Sequence, residues 1–476
     1  MSDDGLRQAR EKMAEAGVDP VAIRVFAHYY RLVEHGETGM IPESTIEPLE
    51  MESLADVTVA DDVAREALAA TAVIKLNGGL GTSMGMDRAK SLLCVRRGMS
   101  FLDVIARQIL HLRTAYDARL PLLFMNSFRT SADTLAALAR YDDDSTPAGE
   151  RLSVPGLPLE FLQSKEPKLR QDDLTPVRWD RDRDLEWCPP GHGDLYPSLR
   201  GSGVLEQLIA AGYRYAFVSN SDNLGAVPDP RIAGWFAESG SPFAIEAVRR
   251  TPSDRKGGHF ARRTSDGRIV LRETAQTLPE DADALADLDR HRFMSTNNLW
   301  FDLVALRDEL DRRDGVLGLP LIRNVKTVDP GDADSPKVIQ IETAMGAAIE
   351  IFEGARTIEV GRDRFVPVKT TDDLLVLRSD VYELGPDGTV RQVGEVPYVD
   401  LDADHYKLVS DFDSRFPSGV PSLREASRLV VEGDWTFGKD VTVRGDAHLR
   451  DEGGARRVAS GETLGSGAPG GSGSAG

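Results

Sequence analysis

Residues 73–93 read VIKLNGGLGTSMGMDRAKSLL, a short apolar run that breaks into a loop with glycines at 78, 79, 81 and 85. Glycine lets the main chain reach positive φ and brings bare N–H groups against a ligand with no Cβ in the way. After a buried strand, with a helix to follow, such a loop builds an anion nest suited to nucleotide phosphates. Lys75 and Lys90 bracket it with fixed positive charge. Two better-known loops are excluded. A Walker loop needs Lys-Ser/Thr directly after its last glycine, whereas Lys90-Ser91 comes five residues after Gly85. The dinucleotide fingerprint needs Gly-x-Gly-x-x-Gly; after Gly79-Leu80-Gly81 the third glycine stands one residue late, at Gly85. Neither a P-loop kinase nor a dehydrogenase is the natural reading.

Outward from this loop, short apolar runs alternate with amphipathic stretches. Strands are predicted over 72–76, 120–125, 159–162, 213–218 and 243–248, and helices over 101–116 and 131–141. Such alternation specifies an α/β fold with a mainly parallel sheet covered by helices. Ligands of such sheets sit beyond the carboxyl ends of the strands. Residues 1–65 read as a helical N-terminal extension. Asp19-Pro20 is an N-cap with proline at the first helical position, and Val25, Phe26, Tyr29, Leu32 and Val33 follow at helical spacing before Gly36. That stripe is assigned to packing. Residues 66–395 form the main domain. Over 396–455 the pattern changes: Val431, Phe437, Val443 and Leu449 are spaced by six, and Trp435, Val441 and Ala447 repeat on the same period. This is the hexapeptide rhythm of a parallel β-helix, with about three coils visible. The remainder, 456–476, ends in GSGAPGGSGSAG, a flexible tail without apolar content.

A chain of 476 residues has room for roughly two or three domains. Its 57 basic and 77 acidic residues give a formal charge of −20, which argues against sequence-independent nucleic-acid binding. A nucleotide can still be held where a few lysines gather in one pocket. No apolar run approaches a membrane span, and the opening MSDDGLRQAR lacks the apolar stretch of a signal peptide. Cys94 and Cys188 lie far apart and make no metal pattern, so a reducing cytoplasm is expected.

A series of motifs runs in order along the chain: KLNGGLGTSMG (75–85), PLLFMNSF (121–128), PPGHGDLY (189–196), FVSNSDNLGA (217–226), KGG (256–258), STNNLW (295–300), IQIETAMGAAI (339–349) and FVPVKTTDDLL (365–375). With the terminal hexapeptides, this series resembles the eukaryotic-type UTP–glucose-1-phosphate uridylyltransferases, or UDP-glucose pyrophosphorylases, over about residues 20–450. The resemblance implies a Rossmann-like nucleotide-diphospho-sugar transferase core, a helical N-terminal extension and a small C-terminal left-handed β-helix. It also implies attack by a glucose 1-phosphate oxygen on the α-phosphorus of UTP, giving UDP-glucose and pyrophosphate reversibly. A broader UDP-sugar or UDP-N-acetylhexosamine pyrophosphorylase is the alternative within the same chemistry. A nucleotide-sugar-binding regulator without turnover is the alternative of another class.

Roles follow by position. Lys90 is expected to stabilise the departing pyrophosphate, although the family segment Cys-Lys-Gly-Pro-Lys here reads Met86-Asp87-Arg88-Ala89-Lys90. Lys369 is expected between the two substrate phosphates, offsetting charge on the α-phosphoryl oxygens. Asp222 is placed to hold Mg²⁺ against phosphate oxygens. The uridine side is assigned to Leu76, Asn77, Gly78, Gly79, Gln163 and Gly191, with the Gln163 carboxamide reading the base edge. His192, carried on a loop between glycines with little cover, is expected to contact the sugar phosphate, whose charge favours the imidazolium. Asn220, Gly258, Glu273 and Asn297 are assigned to the hexose. Where the family has Asn-Thr-Asn-Asn-Leu-Trp, this chain opens the motif with Ser295, a shorter side chain. The hexapeptide coils offer a surface for self-association.

Overall fold

The strands Thr71–Asn77 and Tyr215–Asn220 run side by side in parallel at the centre of an eight-stranded sheet. Its order is Glu52–Ser53, Arg356–Glu359, Phe243–Arg249, Phe293–Asp302, Tyr215–Asn220, Thr71–Asn77, Leu122–Asn126 and Glu160–Leu162. Only Phe293–Asp302 runs against its neighbours; the other pairings are parallel. The computed structural model describes residues 2–96, 98–143, 151–255 and 257–465. Lys256 of the KGG motif and tail residues 466–476 lie outside the described residues.

The sheet is covered on both faces, so its strands read as continuous apolar runs rather than alternating ones. Period-two geometry sends successive residues to opposite cores. Val73, Phe124 and Phe217 pack with the helix Phe101–Tyr116. Ala72, Ile74, Leu123 and Val218 face the helices Leu195–Gly201 and Val204–Ala210. Register aligns Asn220 with Leu76 and Asn77 with Asn126, so three strands end together at one edge.

The predicted elements recur with shifts at their ends. The helix over 101–116 is Phe101–Tyr116, started by a capping box between Ser100 and Asp103. The expected helix over 131–141 ends as α at Leu138 and closes with a 3₁₀ turn, Ala139–Tyr141. The helix Pro20–Glu34 begins as read, with the Asp19 carboxylate accepting from the Val21 N–H at 2.7 Å. Phe26, Tyr30 and Val33 on it pack against Leu6, Ala9 and Met13 of a second helix, Ser2–Glu15.

The glycine loop departs from expectation. No α-helix follows it directly; two 3₁₀ turns, Thr82–Met84 and Lys90–Leu92, come first. Gly85 at φ +75° ends the first turn, and an antiparallel bridge from Leu80 to Ala89 folds the loop onto itself. Its N–H groups are therefore presented by a closed loop, without the dipole of a following helix.

At the C-terminal end, Tyr398–Leu401, Ser422–Val431, Thr442–Leu449 and Thr463–Gly465 form a four-stranded parallel sheet, beside the parallel pair Trp435–Phe437 and Arg456–Val458. The hexad residues Val431, Phe437, Val441, Val443 and Ala447 are buried. Phe416 stacks on Phe437 with ring centroids 4.8 Å apart, and this cluster is continuous with the main core around Phe101 and Leu374. Among the described residues, no helix is long and apolar enough to cross a membrane.

Candidate active site

Just past the carboxyl end of Tyr215–Asn220, Asn220 and Asp222 form a wall common to two adjoining cavities. The first, about 290 Å³, is lined by Leu76, Gly78, Gly79, Lys90, Gln163, Gly191 and His192. The second, about 300 Å³, is lined by Gly258, Glu273, Asn297 and Lys369. Residues scattered over nearly 300 positions of sequence thus converge on one edge of the sheet, where a parallel sheet places its ligands.

Asn77 does not line either cavity. Its buried Nδ2 donates to Asn126 Oδ1 at 2.8 Å and Thr134 Oγ1 at 2.9 Å, and its Oδ1 accepts from the Ser221 hydroxyl at 2.9 Å. The side chain ties three strand ends beneath the floor. Lys75 corrects the reading of a loop flanked by two charges. It is buried, donating to Ser219 Oγ at 2.7 Å and the Ala226 carbonyl at 2.6 Å, and burial lowers its pKa to about 7. The cause is strand geometry, which points this mid-strand residue into the core.

Lys90 remains at the cavity. Its ammonium donates to Asp222 Oδ2 at 2.8 Å and to the Val368 carbonyl. The Val368 N–H in turn donates to the Asp222 carbonyl at 3.2 Å. Lys369 follows at once, its main chain fixed because the N–H groups of Lys369 and Thr370 both donate to Asp373 Oδ2, at 2.7 and 3.0 Å. Opposite, burial raises the pKa of Glu273 while the charge of Lys369 holds it down.

Two glycines are dictated by close approach. A Cβ on Gly78 would overlap the Gln163 carboxamide, so the glycine forms the bed on which that amide lies. Gly191 sits at φ +79° against the main chain of Thr343. The neighbouring His192 is half-buried, where little cover was expected. Its Nδ1 accepts from the Met345 N–H at 2.9 Å, and burial lowers its pKa to about 4. The ring is neutral with its proton on Nε2.

In the second cavity Asn297 has φ +58° inside the strand Phe293–Asp302. The Ser295 hydroxyl accepts from its N–H at 3.0 Å, so the shorter residue supports this turn of the backbone. Sequence reasoning missed Asn223, which lines the second cavity, and Glu246 and Arg364, which stand behind its wall. A signal was available for one of them: Glu246 is a charge inside a predicted apolar strand, and lone charges are almost never fully buried without a partner.

Asp222 fits Mg²⁺, a hard cation commonly held by one or two carboxylates plus substrate phosphates and water. It is partly exposed and faces both cavities. Glu43, His259 and His291 also cluster at ligand-like spacing. There, however, Arg272 and Arg290 donate to Glu43 at 2.7 and 2.6 Å, and Arg272 Nε donates to His259 Nε2 at 3.1 Å. Two guanidinium charges make that cluster hostile to a cation.

Comparison with known proteins identifies the family of the chain. The family model described as UTP–glucose-1-phosphate uridylyltransferase covers residues 23–444. The UTP–glucose-1-phosphate uridylyltransferase of Saccharomyces cerevisiae is 40% identical over 383 residues, 79% of this chain and 73% of that protein. A probable UTP–glucose-1-phosphate uridylyltransferase of Schizosaccharomyces pombe is 38% identical over 82% of this chain and 74% of its own length. Among solved structures, a variant UDP-glucose pyrophosphorylase from Leishmania major in complex with UDP-glucose superposes with a TM-score of 0.88 at 41% identity, covering 97% of this chain and 98% of that one. With the family model matching most of the chain and relatives about 40% identical over some four-fifths of it, the chain belongs to the UTP–glucose-1-phosphate uridylyltransferase family.

Proposed function

We propose that the chain forms UDP-glucose and pyrophosphate from UTP and glucose 1-phosphate, reversibly, by in-line attack of the sugar phosphate on the α-phosphorus. The observation that carries this reading is the common wall. Two cavities of similar size, one floored by the glycine loop and one rimmed by polar side chains, meet at Asp222 with a lysine on either side. Both reactants are anionic, so cancelling repulsion and aligning them are the main tasks.

In this reading UTP occupies the first cavity and the hexose the second. Gln163, backed by Gly78, offers a donor and an acceptor to the uracil edge. Lys90 balances the departing pyrophosphate, and Lys369 the charge that builds on the α-phosphoryl oxygens. Neutral His192 presents Nε2–H as a hydrogen-bond donor to phosphate, its other nitrogen already bound to Met345. Glu273 and Asn297 bond sugar hydroxyls. Asp222 would hold Mg²⁺, which supplies charge compensation to the phosphates when bound.

The reading extends to the remaining segments. The helices Ser2–Glu15 and Pro20–Glu34 are the helical extension; the expected boundary at 65 falls too late, because Glu52–Ser53 already belongs to the main sheet of the catalytic domain, which runs to 395. From 396 the parallel coils with buried hexad residues support a left-handed β-helix, and Arg456–Val458 and Thr463–Gly465 continue it into the segment expected to be a flexible tail from 456. The open edge of Thr463–Gly465, at the end of its sheet, is the surface proposed for self-association. Two unpaired cysteines, Cys94 exposed and Cys188 buried, support a reducing cytoplasm. The test is pyrophosphate release with UTP and a panel of sugar 1-phosphates, with and without Mg²⁺. Glucose 1-phosphate should be preferred; equal rates with N-acetylglucosamine 1-phosphate would instead favour the broader specificity.

A further inference from the structure

Glu246 lies mid-strand in Phe243–Arg249 with no exposed surface. Its carboxylate accepts four hydrogen bonds: from Arg364 Nε and Nη2, both at 2.7 Å, from Asn298 Nδ2 at 3.0 Å, and from the Trp300 indole at 3.0 Å. That uses the acceptor capacity of the group. From this junction two arms reach the cavity assigned to the hexose.

One arm is the strand that carries Asn297. Asn298, held by the Glu246 carboxylate, is its chain neighbour, and the Thr296 hydroxyl donates to the Glu246 carbonyl at 2.8 Å. Asn297 is thereby clamped on both sides in a conformation that side-chain-bearing residues rarely adopt. The other arm is Arg364. Its carbonyl accepts from Asn223 Nδ2 at 3.1 Å, and Asn223 Oδ1 accepts from the Val366 N–H at 2.9 Å. Asn223 follows Asp222, and Val366 stands three residues before Lys369.

We propose that Glu246 is a positioning residue which, through its fork to Arg364, sets the separation between the wall bearing Asn297 and the wall bearing Asp222 and Lys369. The proposal rests on the roles given above to those three residues. A buried ion pair is a poor stability device, because well-packed apolar side chains of similar volume often serve as well or better. What a bidentate guanidinium–carboxylate fork adds is fixed geometry. Misplacement by about 1 Å at a reacting centre costs on the order of 100-fold in rate.

The test measures steady-state constants for each substrate in Glu246→Gln, which keeps shape but removes the charge, and in Arg364→Lys, which keeps charge but removes the fork. Either variant that folds should show kcat lowered about 10- to 100-fold. The KM for glucose 1-phosphate should rise several-fold and that for UTP by clearly less, since the network meets the first cavity only through the shared Asp222 wall while it holds Asn297 and Lys369 of the second directly. Leu306→Ala, a buried apolar truncation on the helix Leu303–Arg312, serves as the stability control and should lower the melting temperature without altering either KM. The proposal is overturned if a folded variant keeps normal kcat, or if both KM values rise by the same factor. Failure of the underlying site assignment would look different, because Lys369→Ala would then be near-normal whatever Glu246→Gln does.

Discussion

Lys90 Nζ lies 2.8 Å from Asp222 Oδ2, so the lysine assigned to the leaving group and the carboxylate assigned to the metal form an ion pair. The same ammonium bonds the carbonyl of Val368, next to Lys369. Three groups of the proposed mechanism are therefore joined by one side chain. With a triphosphate bound, Lys90 would gain a stronger anionic partner, and Asp222 would be free to hold the proposed Mg²⁺. Lys90→Ala is expected to lower turnover about 100- to 1,000-fold, the usual cost of removing one group that meets developing charge. Pyrophosphate release at saturating UTP measures this, and unchanged kcat would remove Lys90 from the chemistry.

Lys369 is exposed and its main chain is fixed by Asp373 rather than by its own ammonium. Truncation should accordingly spare the fold. Lys369→Ala is expected to keep the wild-type melting temperature within a degree or two while lowering kcat about 100-fold or more. Because Lys369 also holds down the pKa of Glu273, removing it should push that carboxyl further up. Thermal unfolding and kinetics on the same sample decide the matter.

Gly78 bears on base recognition. A methyl there would displace the Gln163 carboxamide from its bed. Gly78→Ala is expected to raise the KM for UTP about tenfold, with the KM for glucose 1-phosphate nearly unchanged, since Gln163 lines only the first cavity. An equal rise for both substrates would place the damage in the loop as a whole.

His192 has a pKa of about 4, lowered by burial from an ordinary 6.5. Between these values the unfolded chain binds a proton that the folded chain does not. The contribution of the neutral ring is thus present above about pH 6.5 and is lost as pH falls toward 4. Asp194, raised by burial to about 7, acts with the opposite sign, so the variant comparison is more telling than the whole-protein curve. The gap in melting temperature between wild type and His192→Gln should narrow from pH 7 to pH 4.5. A constant gap would show that His192 does not titrate as described.

Much of the α/β architecture was readable because parallel strands covered on both faces leave unbroken apolar runs, as in AVI (72–74) and LLFM (122–125). The hexad spacing of Val431, Phe437 and Val443 was equally plain, since each turn buries one apolar residue. Local pattern failed where a tertiary contact decided the outcome. Lys75 reads as a loop-flanking charge, yet Ser219 and the Ala226 carbonyl, about 150 residues away, draw it into the core. His192 reads as uncovered between two glycines, yet the N–H of Met345 closes over it. The Glu246–Arg364 pair spans 118 positions, and no short-range periodicity marks two such partners.

The exposed thiol of Cys94 stands four residues beyond Lys90, and Arg378, on the helix that follows Lys369, donates to its carbonyl at 2.7 Å. Because the second cysteine is buried, a maleimide fluorophore would attach to the native chain at a single, defined position. The unaltered enzyme thus carries its own handle for watching, by changes in emission, how the lysine-bearing segments shift during a catalytic cycle.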